Sequence, residues 1–175
     1  MACAAKNQPM DVVDYVDLDK YMGDWYVIAA TPTFIDKTAF NGVENYKMNA
    51  DGTIAITYTF NKGAPDGPKK TYTPKGFVTE HPSNAIWGVQ FLWPFKADYR
   101  IIYLNDDKTQ TIVGRKARDY VWIMARKPKL TQSEYNKLVN YALEAGYTRE
   151  QIKKMPQPSN IDPSNNQKTK SGSHQ

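Results

Sequence analysis

The chain has 175 residues, of which 41% are apolar and 13% aromatic. That is enough for one domain with a sizeable core and excludes a disordered chain. The net charge of +5 is carried by scattered basic residues, so no dense stripe for nucleic acid is present, while anionic headgroups or carboxylates remain suitable partners.

Residues 1–13 read as a leader. They lack the apolar stretch of a secretory signal, and no run anywhere is long enough for a membrane-spanning helix. Cys3 is the one cysteine, so neither an internal disulfide nor a cysteine zinc cluster can form. A free thiol and a lipidated chain end are both open to it.

From Asp14 to Met22 a short amphipathic turn carries Tyr15, Val16, Leu18 and Tyr21. Gly23 then opens a first strand reaching Ala29 or Ala30, with Trp25 as its large buried anchor. Thr31–Gly42 is a long connection bearing Phe34, Ile35 and Phe40, and it reads either as a lid or as a loop tucked on the core.

Short strands separated by turn signals follow. Val43–Met48 leads through Asp51-Gly52, a hairpin signal, into Thr53–Phe60, where Ile54, Ile56, Tyr58 and Phe60 share one face. Lys70–Thr79 is a strand with a bulge or an edge at Pro74 and a bend at Gly76. Ala85–Leu92 places Trp87, Val89 and Phe91 together. Asp98–Leu104 alternates Tyr99, Ile101 and Tyr103. Thr109–Gly114 and Tyr120–Arg126 complete the set, the last alternating Tyr120, Trp122 and Met124.

Only then does the period change. Thr131 and Glu134 form a capping box, and Tyr135, Leu138, Val139, Ala142 and Leu143 make one stripe, so a helix is predicted over 131–145 with Gly146 just past its end. A second short turn is expected near Thr148–Met155. The domain is expected to span 14–158, followed by a tail over 159–175 whose polar composition already begins at Pro156.

Eight consecutive antiparallel strands bury their edges by closing. The predicted fold is therefore all-β, an eight-stranded up-and-down barrel with the helix packed outside. Its inward faces are apolar, which suits one small apolar ligand. At this point a resemblance is apparent. Gly23-Asp24-Trp25-Tyr26 is similar to the G-x-W signature of the lipocalins. Asp98-Tyr99 resembles their second region and Arg126 their third, in the same order. Tyr120–Pro128, Asn45–Met48, Asn61–Gly63 and Pro94-Phe95 resemble the bacterial lipocalin branch, which is related to apolipoprotein D and the plant temperature-induced lipocalins.

The resemblance implies a calyx for a fatty acid or lysophospholipid. Gly23, Trp25, Asp98, Tyr99 and Arg126 would be structural, with Arg126 packed across Trp25. It also implies an outer-membrane lipoprotein of the bacterial envelope if Cys3 is acylated, and a periplasmic or soluble protein otherwise. Expected wall residues are Val27, Ile54, Ile56, Tyr58, Tyr72, Trp87, Val89, Phe91, Tyr99, Ile101, Tyr103, Tyr120 and Trp122, with Phe34 and Phe40 near the mouth and Lys37 or Lys62 at the rim. Each could equally be plain core. No cofactor or metal site is expected. Peripheral membrane contact and a homodimer stay open as associations.

Two other readings compete. A lipid-acting enzyme would need an acid, base or nucleophile in the cavity, and the chain has no nucleophile elbow, P-loop or zinc-binding histidine pair; His81 lies in a turn and His174 in the tail. A barrel filled by its own side chains would instead act through its loops.

Overall fold

Period-2 alternation closes into a barrel in a computed structural model, which describes residues 9–158. A single helical turn, α1 (Leu18–Tyr21), precedes β1 (Gly23–Ala30), β2 (Ala39–Met48), β3 (Ile54–Lys62), β4 (Lys69–Tyr72), β5 (Lys75–Val78), β6 (Ile86–Leu92), β7 (Phe95–Leu104), β8 (Gln110–Gly114) and β9 (Val121–Ala125). All neighbouring pairs are antiparallel, and β1 closes the circle by pairing with both β2 and β9. β4 and β5 are two halves of the fourth predicted strand. Both pair with β3, and the break falls at Thr73-Pro74, where proline has no N–H to give the ladder. The Pro74 carbonyl still accepts from the Ile56 N–H at 3.1 Å. The barrel therefore has eight staves, the predicted number.

Alternating chain direction puts the 31–38, 63–68, 93–94 and 115–120 connections at one end, and the 49–53, 79–85 and 105–109 turns at the other. α1 plugs the second end. Val16 N–H donates to the Ser83 carbonyl at 2.8 Å, and the buried Tyr21 ring reaches the interior.

The predicted helix is α2 (Gln132–Glu144), with the Thr131/Glu134 capping box formed and Gly146 at φ +96°. Leu138, Val139 and Ala142 are its buried face. They pack with Ile102, Ile112, Val121 and Ile123 in a second core outside the barrel wall. Burying residues such as Leu138 and Val139 stabilises the contact by roughly 1.5–3 kcal/mol each. The barrel wall is thus apolar on both faces here, which explains why β8 is buried along its whole length.

The chain ends differ from the expectation. Residues 9–13, read as leader, lie along the barrel. Met10 is buried in the outer core, and Val13 N–H donates to the Ile101 carbonyl at 3.1 Å. After a 3₁₀ turn (Arg149–Gln151), β10 (Lys153–Lys154) adds to β1 at Ala29 and Ala30, beyond the point where β1–β2 pairing stops at Tyr26/Val43. The following residues stitch the seam. Asn41 N–H donates to the Pro156 carbonyl (2.8 Å), and Gln157 Nε2 donates to the carbonyls of Val27 (2.8 Å) and Gly42 (2.9 Å). A Cβ on Gly42 would overlap the Met155 sulfur. Two strand residues are too few for any periodic signal, so the polar composition of this stretch concealed its role.

Candidate ligand site

Facing strands share a face residue by residue, so the interior is readable from the ladders. Trp25, Glu44 and Tyr58 stand side by side across β1, β2 and β3; Tyr46 pairs with Ile56 and Met48 with Ile54. Val27, Trp87, Val89, Tyr99, Ile101, Val113 and Met124 complete the buried inner core, with Tyr72 and Trp122 packed against it. Trp87 stacks on Tyr99 at 4.8 Å, and Phe60 lies parallel to Tyr72 at 6.1 Å.

At the plugged end Arg126 spans the entry of β1. Its guanidinium carbon lies 3.8 Å from the Trp25 ring centre, and its nitrogens donate to the carbonyls of Asp24 (2.8 Å), Lys20 (2.8 Å), Tyr21 (3.0 Å) and Met22 (2.9 Å). The carbonyls of Lys20, Tyr21 and Met22 belong to the end of α1 and its exit, and the Tyr21 carbonyl also accepts from the Trp25 indole N–H at 2.9 Å. Gly23 sits at φ +94°, and a Cβ there would be 3.5 Å from the same guanidinium. Asp98, at the edge of the site, accepts from Arg100 Nε (2.9 Å) and the Lys116 N–H (2.6 Å) and so braces the wall from outside.

A polar chain runs through this apolar interior. The Tyr46 hydroxyl donates to Glu44 and shares a 2.9 Å bond with the Tyr99 hydroxyl. Tyr99 approaches the Tyr21 hydroxyl at 3.3 Å, and Tyr21 approaches Thr111 Oγ1 at 3.4 Å. Higher up, the Tyr58 hydroxyl donates to Asp36 at 3.1 Å, while Asp36 also accepts from the Thr33 N–H and hydroxyl at 2.7 Å each. Burial pushes the Glu44 carboxyl up to about 7; the Tyr46 bond opposes this, and the negative Asp36 adds to it. Burial likewise raises Tyr21 to about 12 and lifts Tyr46, Tyr58 and Tyr99, so all four phenols are neutral at physiological pH.

Residues 16–157 match the lipocalin-like domain family. The chain belongs to that family. This lipocalin is 29% identical over 161 residues to temperature-induced lipocalin-1 of Arabidopsis thaliana, covering 87% of this chain and 85% of that protein. It is 28% identical over 162 residues to the outer membrane lipoprotein Blc of Citrobacter freundii, covering 90% of each. Among solved structures, insecticyanin of Manduca sexta superposes with a TM-score of 0.68 at 12% identity, covering 87% of this chain and 86% of that one. Lobster apocrustacyanin A1 superposes at 0.64 and 15% identity, covering 82% and 81%. These structures share the fold.

Of the residues named from the lipocalin sequence, Val27, Ile54, Ile56, Tyr58, Trp87, Val89, Tyr99 and Ile101 lie in the inner core, with Tyr72 and Trp122 against it. Tyr103 needs correcting. β7 slips register between Ile101 and Tyr103, so Ile102 and Tyr103 both join the outer core, and Tyr103 meets Tyr141 of α2 at 4.9 Å. Strict alternation cannot foresee a bulge. Phe34 and Phe91 are exposed at the open end, at 89% and 53%. Phe40 is half-buried there at the start of β2, and Tyr120 stacks on Trp122 at 6.1 Å. Lys37 and Lys62 are exposed at the same end. His81 is exposed in the 79–85 turn at the plugged end, bonded to Ser83 at 2.6 Å. Cys3 and His174 lie outside the described residues. No cluster of metal-ligating side chains occurs among the described residues.

The sequence reading missed Asp36, Glu44, Tyr46 and Tyr21. Glu44 was recoverable: Tyr46 and Met48 are apolar-face residues of one strand, and stepping back by two lands on it. Asp36 gave no such signal, because a loop has no period.

Proposed function

We propose that this lipocalin binds and carries a small apolar molecule in its barrel, with a fatty acid or lysophospholipid as the ligand class, and performs no catalysis. The observation that carries the reading is the inner surface itself: a closed barrel lined by Val27, Ile54, Ile56, Trp87, Val89 and Ile101, into which only a few hydroxyls and carboxyls project. Membership of the lipocalin-like family supports it. The test is native mass spectrometry of protein purified from cells, followed by organic extraction and reloading. A co-purified acyl species displaced by added fatty acid is the expected result. Protein that is ligand-free and refuses both fatty acids and lysophospholipids would replace this reading with a barrel that works through its loops.

Peripheral contact with a lipid surface belongs to the same proposal. The β6–β7 turn at the open end exposes Leu92 (76%), Trp93 (85%) and Phe95 (78%) beside Phe91, and Lys96 follows. Large apolar side chains at a tip, edged by a cation, suit the headgroup boundary of anionic membranes. Co-sedimentation with phosphatidylglycerol vesicles should fall at least fivefold in a W93S/F95S variant, and equal sedimentation would reject the contact. The relative from Citrobacter freundii is named an outer membrane lipoprotein, which supports an envelope location with Cys3 as the acylated residue. Labelling with an alkyne-tagged fatty acid that persists in C3S would reject Cys3.

A further inference from the structure

The interior of this barrel is acidic, although the chain as a whole is basic. Glu44 and Asp36 are the carboxyls that meet it, and the phenols of Tyr21, Tyr46, Tyr58 and Tyr99 surround them. The ion pairs among the described residues join Lys20 to Asp17, Lys75 to Asp51, Arg100 to Asp98, Arg115 to Asp119 and Lys127 to Glu134; none includes Glu44 or Asp36. Arg126 is the cation near the plugged end, and it is committed to four backbone carbonyls on the far side of Trp25.

The two carboxyls are not equally served. Asp36 accepts three hydrogen bonds and has 6% of its surface exposed. Among the described residues Glu44 accepts from Tyr46 alone, leaving lone pairs of its carboxyl without a partner there. Its flanking neighbours Trp25 and Tyr58 are buried, yet Glu44 keeps part of its own surface accessible. Glu44 is thus an inward carboxyl set between two buried rings, on a residue that is not itself fully buried. A carboxylate-ended ligand placed there would meet like charge. A cationic end would supply the missing partner and could lie against the aromatic rings as well.

We propose that Glu44 is a specificity-determining residue that selects an amphiphile bearing a primary ammonium group, taken with its charged end inside the barrel beside Glu44 and its chain toward the open end. This rests on the reading above that the barrel takes an apolar chain, and goes beyond it in the head group selected. A fatty acid enters the other way, with its carboxylate left at the mouth.

The experiment is titration calorimetry with three probes of equal chain length, dodecylamine, 1-dodecanol and dodecanoate, each below its micelle concentration. At pH 8 dodecylamine should bind the wild-type protein at least tenfold more tightly than dodecanol, and E44Q should bring the ratio of the two dissociation constants to about one. A second measurement needs no variant. The groups facing Glu44 are Asp36 from the 31–38 loop, Tyr58 from β3, Tyr46 beside it on β2, Tyr99 from β7 and Tyr21 from α1, with Arg126 behind Trp25. The phenols stay neutral and the guanidinium stays charged between pH 6 and 8, while Glu44 ionises there. The amine-to-alcohol ratio of the wild type should therefore rise about tenfold from pH 6 to pH 8. A ratio near one at both pH values, or one that survives E44Q, overturns the role of Glu44 while dodecanol or dodecanoate binding keeps the apolar-ligand reading alive. Failure of all three probes to bind overturns both.

Discussion

Removing the Arg126 guanidinium tests how the plugged end is held. Arg126→Met keeps an unbranched apolar stem but deletes the charge, the donors and the group stacked on Trp25. The stack on Trp25 at 3.8 Å is worth about 0.5–2 kcal/mol. Four hydrogen bonds of 2.8–3.0 Å from a charged donor are lost with it. Such bonds are individually worth about 1.5–3 kcal/mol, but Arg126 is half-buried and water can reach several of the freed carbonyls, so most of that sum is recovered. The net loss expected is about 3–4 kcal/mol, or roughly 10 °C in melting temperature for a chain of this size. Arg126→Lys keeps a cation over the ring but cannot fork to four carbonyls, and should lose about 2 kcal/mol. Urea unfolding followed by tryptophan fluorescence measures both. If Arg126→Met unfolds within about 1 kcal/mol of the wild type, the guanidinium is not what closes this end.

Three further outcomes follow from the same structure. Glu44 has a folded-state pKa of about 7, above its ordinary 4.5, so the folded protein holds the proton more tightly. The stabilisation this brings is complete below pH 4.5 and is lost as pH rises through 7. That rise corresponds to at most about 3 kcal/mol, and because water reaches part of Glu44, about 1–2 kcal/mol should disappear between pH 5 and 8, but not in E44Q; urea curves of equal pH dependence would contradict it. Ending the chain after Ile152 removes the stitch across the β1–β2 seam and should cost about 2–3 kcal/mol, with amide exchange of Val27 and Ile28 accelerated; unchanged exchange would show that the seam is held without it. Ile101→Ala should cost about 2–4 kcal/mol as an inner-core cavity, whereas Tyr103→Ala should cost less than half of that, because it loses only the contact with Tyr141 and its outer neighbours. Equal costs would argue against the bulge.

The stave count, the antiparallel order and the outer helix were legible in the residues, because these follow from local terms: period-2 burial, turn residues and a capping box that act within a few residues of one another. The family was legible too, through Gly23, Trp25, Asp98, Tyr99 and Arg126. Which face some residues take is set by packing between strands. A single slip between Ile101 and Tyr103 reverses every side chain after it, and nothing local to β7 announces the slip. The same holds for β10, which pairs with Ala29 and Ala30, and for Gln157, which bonds to Val27 and Gly42; all of these partners lie more than a hundred residues away in the chain. Glu44 shows the division most clearly. Alternation is enough to turn it inward, but its raised pKa comes from burial between Trp25 and Tyr58 of the neighbouring strands and from the negative Asp36 of the 31–38 loop. Charge inside a barrel is set by what the closed wall brings together, and closure is a property of the whole chain.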